Sequence, residues 1–209
     1  MRPGKTVLLA VLVLASTLAT GPAQGQSRPH FGPMAGMSLA RLHGMDDSST
    51  GSRTGFVAGG FVDIPLGERL GFEPELLYVQ KGARTDINGG LQSTLKLDYL
   101  ELPLLLKLLL PTASSTRVGP NFFAGPAIGF KVGCAVSSHQ QNGPPMATSQ
   151  NCADGGPSVR STDLSLVFGL GLDFRSLAIQ ARYDVGFGEL EPDTRVRTNA
   201  WLFTLGWRF

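Results

Sequence analysis

The sequence predicts an all-β fold, an eight-stranded antiparallel up-and-down transmembrane β-barrel. Three observations carry this: segments in which large apolar residues alternate with small or polar ones, an even number of such segments, and connections that are long and tight by turns.

Arg2 and Lys5 precede an apolar run from Val7 to Ala19, and "GPAQGQ" follows with small residues at Ala23 and Gly25. A positive start, a short apolar core and a small-x-small exit form an export signal, too short for a spanning helix. The expectation is a cleaved signal over 1–25 and a barrel domain over 26–209. No cysteine sits at that junction, so nothing there suggests a lipid anchor. Charged residues make up 16% of the chain and the net charge is +2. Binding to phosphate backbones rests on clustered Lys and Arg, and no such basic stripe is present, which sets nucleic-acid partners aside.

Eight strands are expected, over about 31–42, 55–65, 69–82, 94–109, 119–132, 162–174, 176–188 and 198–209. The first is ambiguous, because Met34, Met37 and Leu39 do not share a face. In the fourth, "LDYLELPLLLKLLL" (97–110), Glu101, Pro103 and Lys107 interrupt a leucine run too short for a membrane helix. Read with a period of two, Leu100, Leu102, Leu104, Leu106 and Leu108 share one face, and Tyr99, Glu101, Pro103, Leu105 and Lys107 the other. Proline removes a ladder hydrogen bond, so a bulge is expected at Pro103. The sixth strand sets Leu164, Leu166, Phe168, Leu170, Leu172 and Phe174 against Ser165, Val167, Gly169, Gly171 and Asp173. The seventh sets Leu177, Ile179, Ala181, Tyr183, Val185 and Phe187 against Ala178, Gln180, Arg182, Asp184 and Gly186. In the eighth, Trp201, Phe203, Leu205, Trp207 and Phe209 oppose Ala200, Leu202, Thr204, Gly206 and Arg208.

The polarity of these faces decides their direction. Small Gly, Ala and Ser are poor choices for a solvated face but suit the interior of an eight-stranded barrel, which is just wide enough for side chains to fill. The bulky face then meets lipid, with Trp201, Trp207 and Phe209 as membrane-interface aromatics. The connections agree. "HGMDDSSTGSRT", "GARTDINGGLQS", 133–161 and "ELEPDTRVRT" are long and polar, whereas "PLGER", "PTASSTR" and "RS" are tight. Outer-membrane barrels have long outer loops and short periplasmic turns.

If the leucines of the fourth strand face lipid, Glu101 and Lys107 face the lumen, where charges persist only when paired. Glu75, Glu101 and Arg182 are expected near mid-height, with Glu73, Lys107 and Arg208 nearer the periplasmic end, and Asp184 joins them on the inward face. Together they predict an interior charge network that plugs the barrel. Cys134 and Cys152 enclose a polar segment, and a disulfide closing a loop of about 19 residues contributes roughly 3 kcal/mol in the chain-entropy model. It reads as a staple on an outer loop, the alternative being two unpaired thiols.

Chemistry is harder to find. His30, His43 and His139 have no metal spacing, so no metal is assigned. The set His43, Asp46, Asp47, Ser48 and Ser49 is the one candidate catalytic cluster, and no nucleophile motif accompanies it. The glycines of "GLGLDF" and "VAGGF" lie in strands rather than before a helix, which removes a dinucleotide-binding reading. No catalytic residue and no cofactor are expected.

"LDYLELPLLLK" (97–107) resembles the Tyr-Leu-Glu-Ile-Pro-Leu-Leu-Leu-Lys signature of the small outer-membrane β-barrel domain known as the porin or PorT family. "GFEPELLYVQKG" (71–82) and "GPAIGFKV" (125–132) resemble the strands before and after it, and Phe209 resembles the family's closing aromatic. The resemblance implies a bacterial outer-membrane location, with the barrel-assembly machinery reading that aromatic. It implies no single activity, since the family is heterogeneous, most members have no established activity, and one branch is linked to protein secretion across the outer membrane. The functional expectation is a non-enzymatic, monomeric, lipid-embedded barrel with a plugged interior, acting structurally or through its outer loops. The alternatives are a narrow pore or secretion accessory, a lipid-modifying enzyme, and a soluble lipocalin-like binder.

Overall fold

A computed structural model describes residues 28–43, 50–87, 91–111, 118–140, 148–151, 161–187 and 197–209. Nine strands follow in chain order: β1 (His30–His43), β2 (Thr50–Pro65), β3 (Leu70–Ile87), β4 (Leu91–Leu109), β5 (Val118–Gln140), β6 (Thr148–Asn151), β7 (Thr162–Phe174), β8 (Leu177–Gly186) and β9 (Arg197–Trp207). Eight of them are staves of a closed antiparallel barrel. Each pairs with its chain neighbour, β5 passes directly to β7, and β9 returns to β1, with Met34 opposite Gly206 and Ala40 opposite Ala200. Closure leaves the wall without an edge, so every stave satisfies its backbone groups against two others.

The period of two is kept around the ring. On β7 the outward Leu164, Leu166, Phe168, Leu170 and Leu172 are exposed, while Asp163, Ser165, Val167 and Asp173 between them are buried. The leucine run of β4 divides in the same way: Leu106 is 55% exposed and Leu105 is 0% exposed, one residue away. The ambiguity of the first strand ends here, since Met34 faces the lumen and Met37 and Leu39 face outward.

Aromatic rings gather at both ends of the oily belt. Phe168, Tyr183, Trp201 and Phe203 form a chain with centroids 4.8–6.4 Å apart, and Phe56 lies 5.4 Å from Tyr78. At the opposite end Phe31 lies 6.0 Å from Phe209, and Trp207 is exposed beside them on β9. Trp201 and Trp207 thus mark the two ends of one strand, about 20 Å apart at roughly 3.3 Å per residue. The turn at Arg175 and Ser176 closes the lower end tightly, with Arg175 at φ 37°. A positive φ matches the right-handed twist of a two-residue hairpin.

Two expectations are corrected. The register of β4 runs unbroken past Pro103, with Leu102 opposite Ile128, Pro103 opposite Ala127 and Leu106 opposite Ala124, so no bulge lies there. The β3 ladder passes from Pro74–Leu104 to Leu77–Glu101 in the same register, and the omitted steps absorb the missing donor. The irregularities fall instead at Asp98/Tyr99 against β5 and between Ser52 and Val57 on β2. Second, β2, β3, β4 and β5 run well past their expected upper ends, and β6 adds to the top of β5, with Ser137 opposite Ser149. In these upper ends polar residues are mixed into both phases of the strand, so the sequence alternation fades while backbone pairing continues.

Placing Arg at Leu170, which is 61% exposed and midway between the aromatic ends, will destabilise the barrel by about 2–4 kcal/mol in a bilayer. Urea unfolding from phospholipid vesicles, followed by tryptophan emission, measures it. A loss below about 0.5 kcal/mol, usual for a water-exposed site, would contradict a lipid-facing belt.

Candidate functional site

The inward residues of each stave project into a space only a few side chains wide, so their chemistry is forced together. Three cations occupy it at successive heights, each 0–1% exposed: Lys107, Arg182 and Lys81.

At the lower level Lys107 Nζ lies 2.7 Å from Glu73 Oε2, 3.1 Å from Asp63 Oδ2 and 3.3 Å from Asp173 Oδ2. Arg208 Nη1 joins from β9, 3.4 Å from Asp173 Oδ2 and 3.9 Å from Asp63 Oδ2. In the middle, both terminal nitrogens of Arg182 donate to the Glu75 carboxylate, Nη2 at 3.1 Å to Oε1, in the two-pronged geometry that suits a planar guanidinium. Arg182 Nη2 also donates to Gln180 Oε1 at 2.7 Å, and Gln180 Nε2 donates to Glu73 Oε1 at 2.7 Å. Gln180 therefore couples the middle level to the lower one. At the upper level Lys81 Nζ lies 2.6 Å from Glu101 Oε1, 3.8 Å from Asp184 Oδ2 and 5.9 Å from the centre of the Tyr99 ring. Arg53 donates to the Lys81 carbonyl oxygen, which ties β2 to β3 at that height.

Glycine makes room for the largest inward groups. A Cβ on Gly169 would lie 2.6 Å from Phe123 Cζ, and one on Gly206 would lie 2.9 Å from Phe61 Cε1. Small residues on β7 and β9 thus vacate the volume that β5 and β2 fill. The Phe123 ring in turn lies 5.7 Å from the Arg182 guanidinium. Apolar groups fill the remaining heights, Leu105 and Val167 beside Phe123, and Ala83, Leu95 and Leu97 near the top.

Of the residues singled out in the sequence, Glu73 and Lys107 meet, as do Glu75 and Arg182. Glu101 does not meet Arg182; it pairs with Lys81, as Asp184 does. Arg208 does not reach Glu73 and meets Asp63 and Asp173 instead. Lys81, Asp63, Asp173 and Gln180 were not singled out. Their signal was present, since each lies on the inward phase of its strand: Lys81 continues Glu73, Glu75, Leu77 and Val79. Trp201, Trp207 and Phe209 all lie outward, 49%, 52% and 66% exposed. Cys134 stands on β5, and Cys152 lies outside the described residues, as do Asp46, Asp47, Ser48 and Ser49 of the candidate catalytic cluster. Among the described residues no group of three His, Cys, Asp or Glu could hold a metal ion.

The family described as the outer membrane protein beta-barrel domain matches residues 22–191. Similar solved structures include the outer membrane protein OprG of Pseudomonas aeruginosa, at 14% identity over 90% of this chain and 99% of that one, TM-score 0.48. Neisserial surface protein A is 15% identical over 89% and 100%, TM-score 0.46. The attachment invasion locus protein of Yersinia pestis is 15% identical over 88% and 100%, TM-score 0.45. No curated protein matches the sequence.

Replacing Arg182 by Met strands Glu75 in the lumen and will cost about 3–5 kcal/mol, whereas a second change, Glu75→Leu, will restore most of it. Vesicle-based urea titrations of the single and double variants measure both. Equal losses in the two would show that packing, not the unpaired charge, sets the cost.

Proposed function

Because the chain belongs to the outer membrane protein beta-barrel domain family, we propose that it is a non-conducting, non-enzymatic outer-membrane barrel that works structurally and through its outer loops. The observation that carries this reading is the filled lumen: at three heights a buried cation reaches a carboxylate on a stave that is not its neighbour, Lys107 to Asp173, Arg182 to Glu75 and Lys81 to Asp184. A pore needs a continuous aqueous path, and side chains locked in ion pairs across a narrow barrel oppose one. The pore and secretion-accessory readings are correspondingly weaker. What remains accessible is the upper rim, where β3, β4 and β5 extend beyond the membrane and carry the long connections outward.

On this reading the chain is exported by a signal over 1–25, inserted by the barrel-assembly machinery through the aromatic pattern ending at Phe209, and held in lipid as a monomer. A Cys134–Cys152 disulfide braces the outer hairpin. Its support is the register of β5 with β6, in which Ala135 and Asn151, the sequence neighbours of the two cysteines, lie opposite one another.

Two measurements test the proposal. In planar bilayers the refolded protein will give no discrete conductance steps, and regular steps would overturn the closed interior. Semi-native electrophoresis of the unboiled protein will show slower migration after reduction, a shift that Cys134→Ser abolishes. Identical mobility before and after reduction would remove the disulfide.

A further inference from the structure

The outward face of the barrel changes character just above the upper aromatic ring. On β9 and β1, Trp201 lies opposite Leu39, and one pleat higher Asn199 lies opposite Arg41. Arg197 follows on the same outward phase of β9. On β3 and β4, Tyr78 lies opposite Leu100, and above them Lys96 stands opposite Gly82 and Arg84 opposite Thr94. All four basic side chains are exposed. They share one sector, because β9, β1, β2, β3 and β4 are consecutive in the wall. Among the described side chains on that outward face above the aromatic ring, Asp98 is the single carboxylate. The remaining staves carry exposed Val132, Leu164 and Phe187 toward their upper ends instead.

We propose that this one-sided arc of Arg41, Arg84, Lys96 and Arg197 binds the phosphate groups of anionic lipid in the outer leaflet. Tryptophan and tyrosine rings settle at headgroup depth. Above that level Arg41 stands two residues past Leu39, Arg197 four past Trp201, Lys96 four past Leu100 and Arg84 six past Tyr78. The cations are therefore spread over about 7–20 Å along the tilted strands, from the headgroup layer outward. Long basic side chains at that depth reach into the headgroup layer while their stems stay against apolar surface. A guanidinium offers phosphate two parallel donors, and arginines at two separate places on the arc suit a lipid carrying more than one phosphate. The apolar belt beneath supplies the surface on which the acyl chains of the same lipid lie. The source is a lipid rather than free phosphate, because the cations sit at the edge of the oily belt and not in the lumen.

The test uses the full mature chain carrying Trp207→Phe, which leaves Trp201 as the sole tryptophan, refolded in maltoside micelles that contain no phosphate. Bis-phosphorylated lipid A is titrated in, and Trp201 emission reports binding. Saturable binding is expected to weaken with salt and to fall about five-fold for each charge removed in the series Arg41→Gln, Arg197→Gln, Arg84→Gln and Lys96→Gln. Arg69→Gln with Arg175→Gln, at the opposite rim, will leave it unchanged. Equal binding of the same lipid after dephosphorylation, or by the fourfold glutamine variant, would overturn the proposal. Binding of inorganic phosphate with the same affinity would overturn the assignment to lipid. Heat-shifted electrophoretic mobility confirms that each variant is folded. None of these readouts depends on whether the lumen conducts, so this proposal and the closed-barrel reading fail separately.

Discussion

A strand inside a bilayer has one place to put its backbone hydrogen-bonding groups, against another strand. The rest of this structure depends on that constraint. It requires a ring, and the ring closes where β9 meets β1, ten paired positions from Met34–Gly206 to His43–Arg197. A closed ring of eight staves has a fixed and narrow interior, so inward residues cannot be chosen independently of one another. Bulky Phe123 on β5 demands Gly169 on β7, and Phe61 on β2 demands Gly206 on β9. The alternation of large and small residues along the sequence is the record of that shared volume.

The same narrowness explains why charge is tolerated inside. An ion removed from water into a low-dielectric surround costs several kcal/mol, and a partner repays this only with close geometry and satisfied hydrogen bonds. Here each cation is shared: Lys107 by three carboxylates, Arg182 by Glu75 and Gln180, and Lys81 by Glu101 and Asp184. Some of these bridges tie the adjacent staves β3 and β4, and others join staves that are not neighbours in the wall, such as β3 with β8 through Glu75 and Arg182 and β4 with β7 through Lys107 and Asp173. Replacing them with apolar groups would serve stability as well or better, so their retention fits a role in choosing one arrangement of the interior and in closing it.

Much of this was legible because the bilayer imposes a simple rule on each strand separately. The faces of β7, β8 and β9 follow directly from alternate residues, and so does the split of the β4 leucines into Leu106 outside and Leu105 inside. Where the rule lapses, so does the reading. The upper ends of β3, β4 and β5 do not separate large apolar from small or polar residues by face, the short β6 is polar throughout, and nothing in "GARTDINGGLQS" distinguishes paired backbone from loop. Pro103 suggested a bulge on the ground that proline removes a donor. The ladder on β4 instead omits steps opposite β3 and keeps its register against β5.

The sequence by itself determined that the chain is a barrel, how many staves it has, which side of β4, β7, β8 and β9 faces outward, and that Glu73, Glu75, Glu101, Lys107, Arg182, Asp184 and Arg208 face inward. Those are properties of single strands, encoded with a period of two. Which charge meets which was decided only by the tertiary structure. Partners such as Glu75 and Arg182 stand on different walls, and their heights depend on the stagger between every pair of staves separating them. Register accumulates around the ring, so Glu101 finds Lys81 rather than Arg182, and Arg208 finds Asp63 and Asp173 rather than Glu73. The basic arc above the aromatic ring arises in the same way, from cations distant in sequence that closure brings onto adjacent staves.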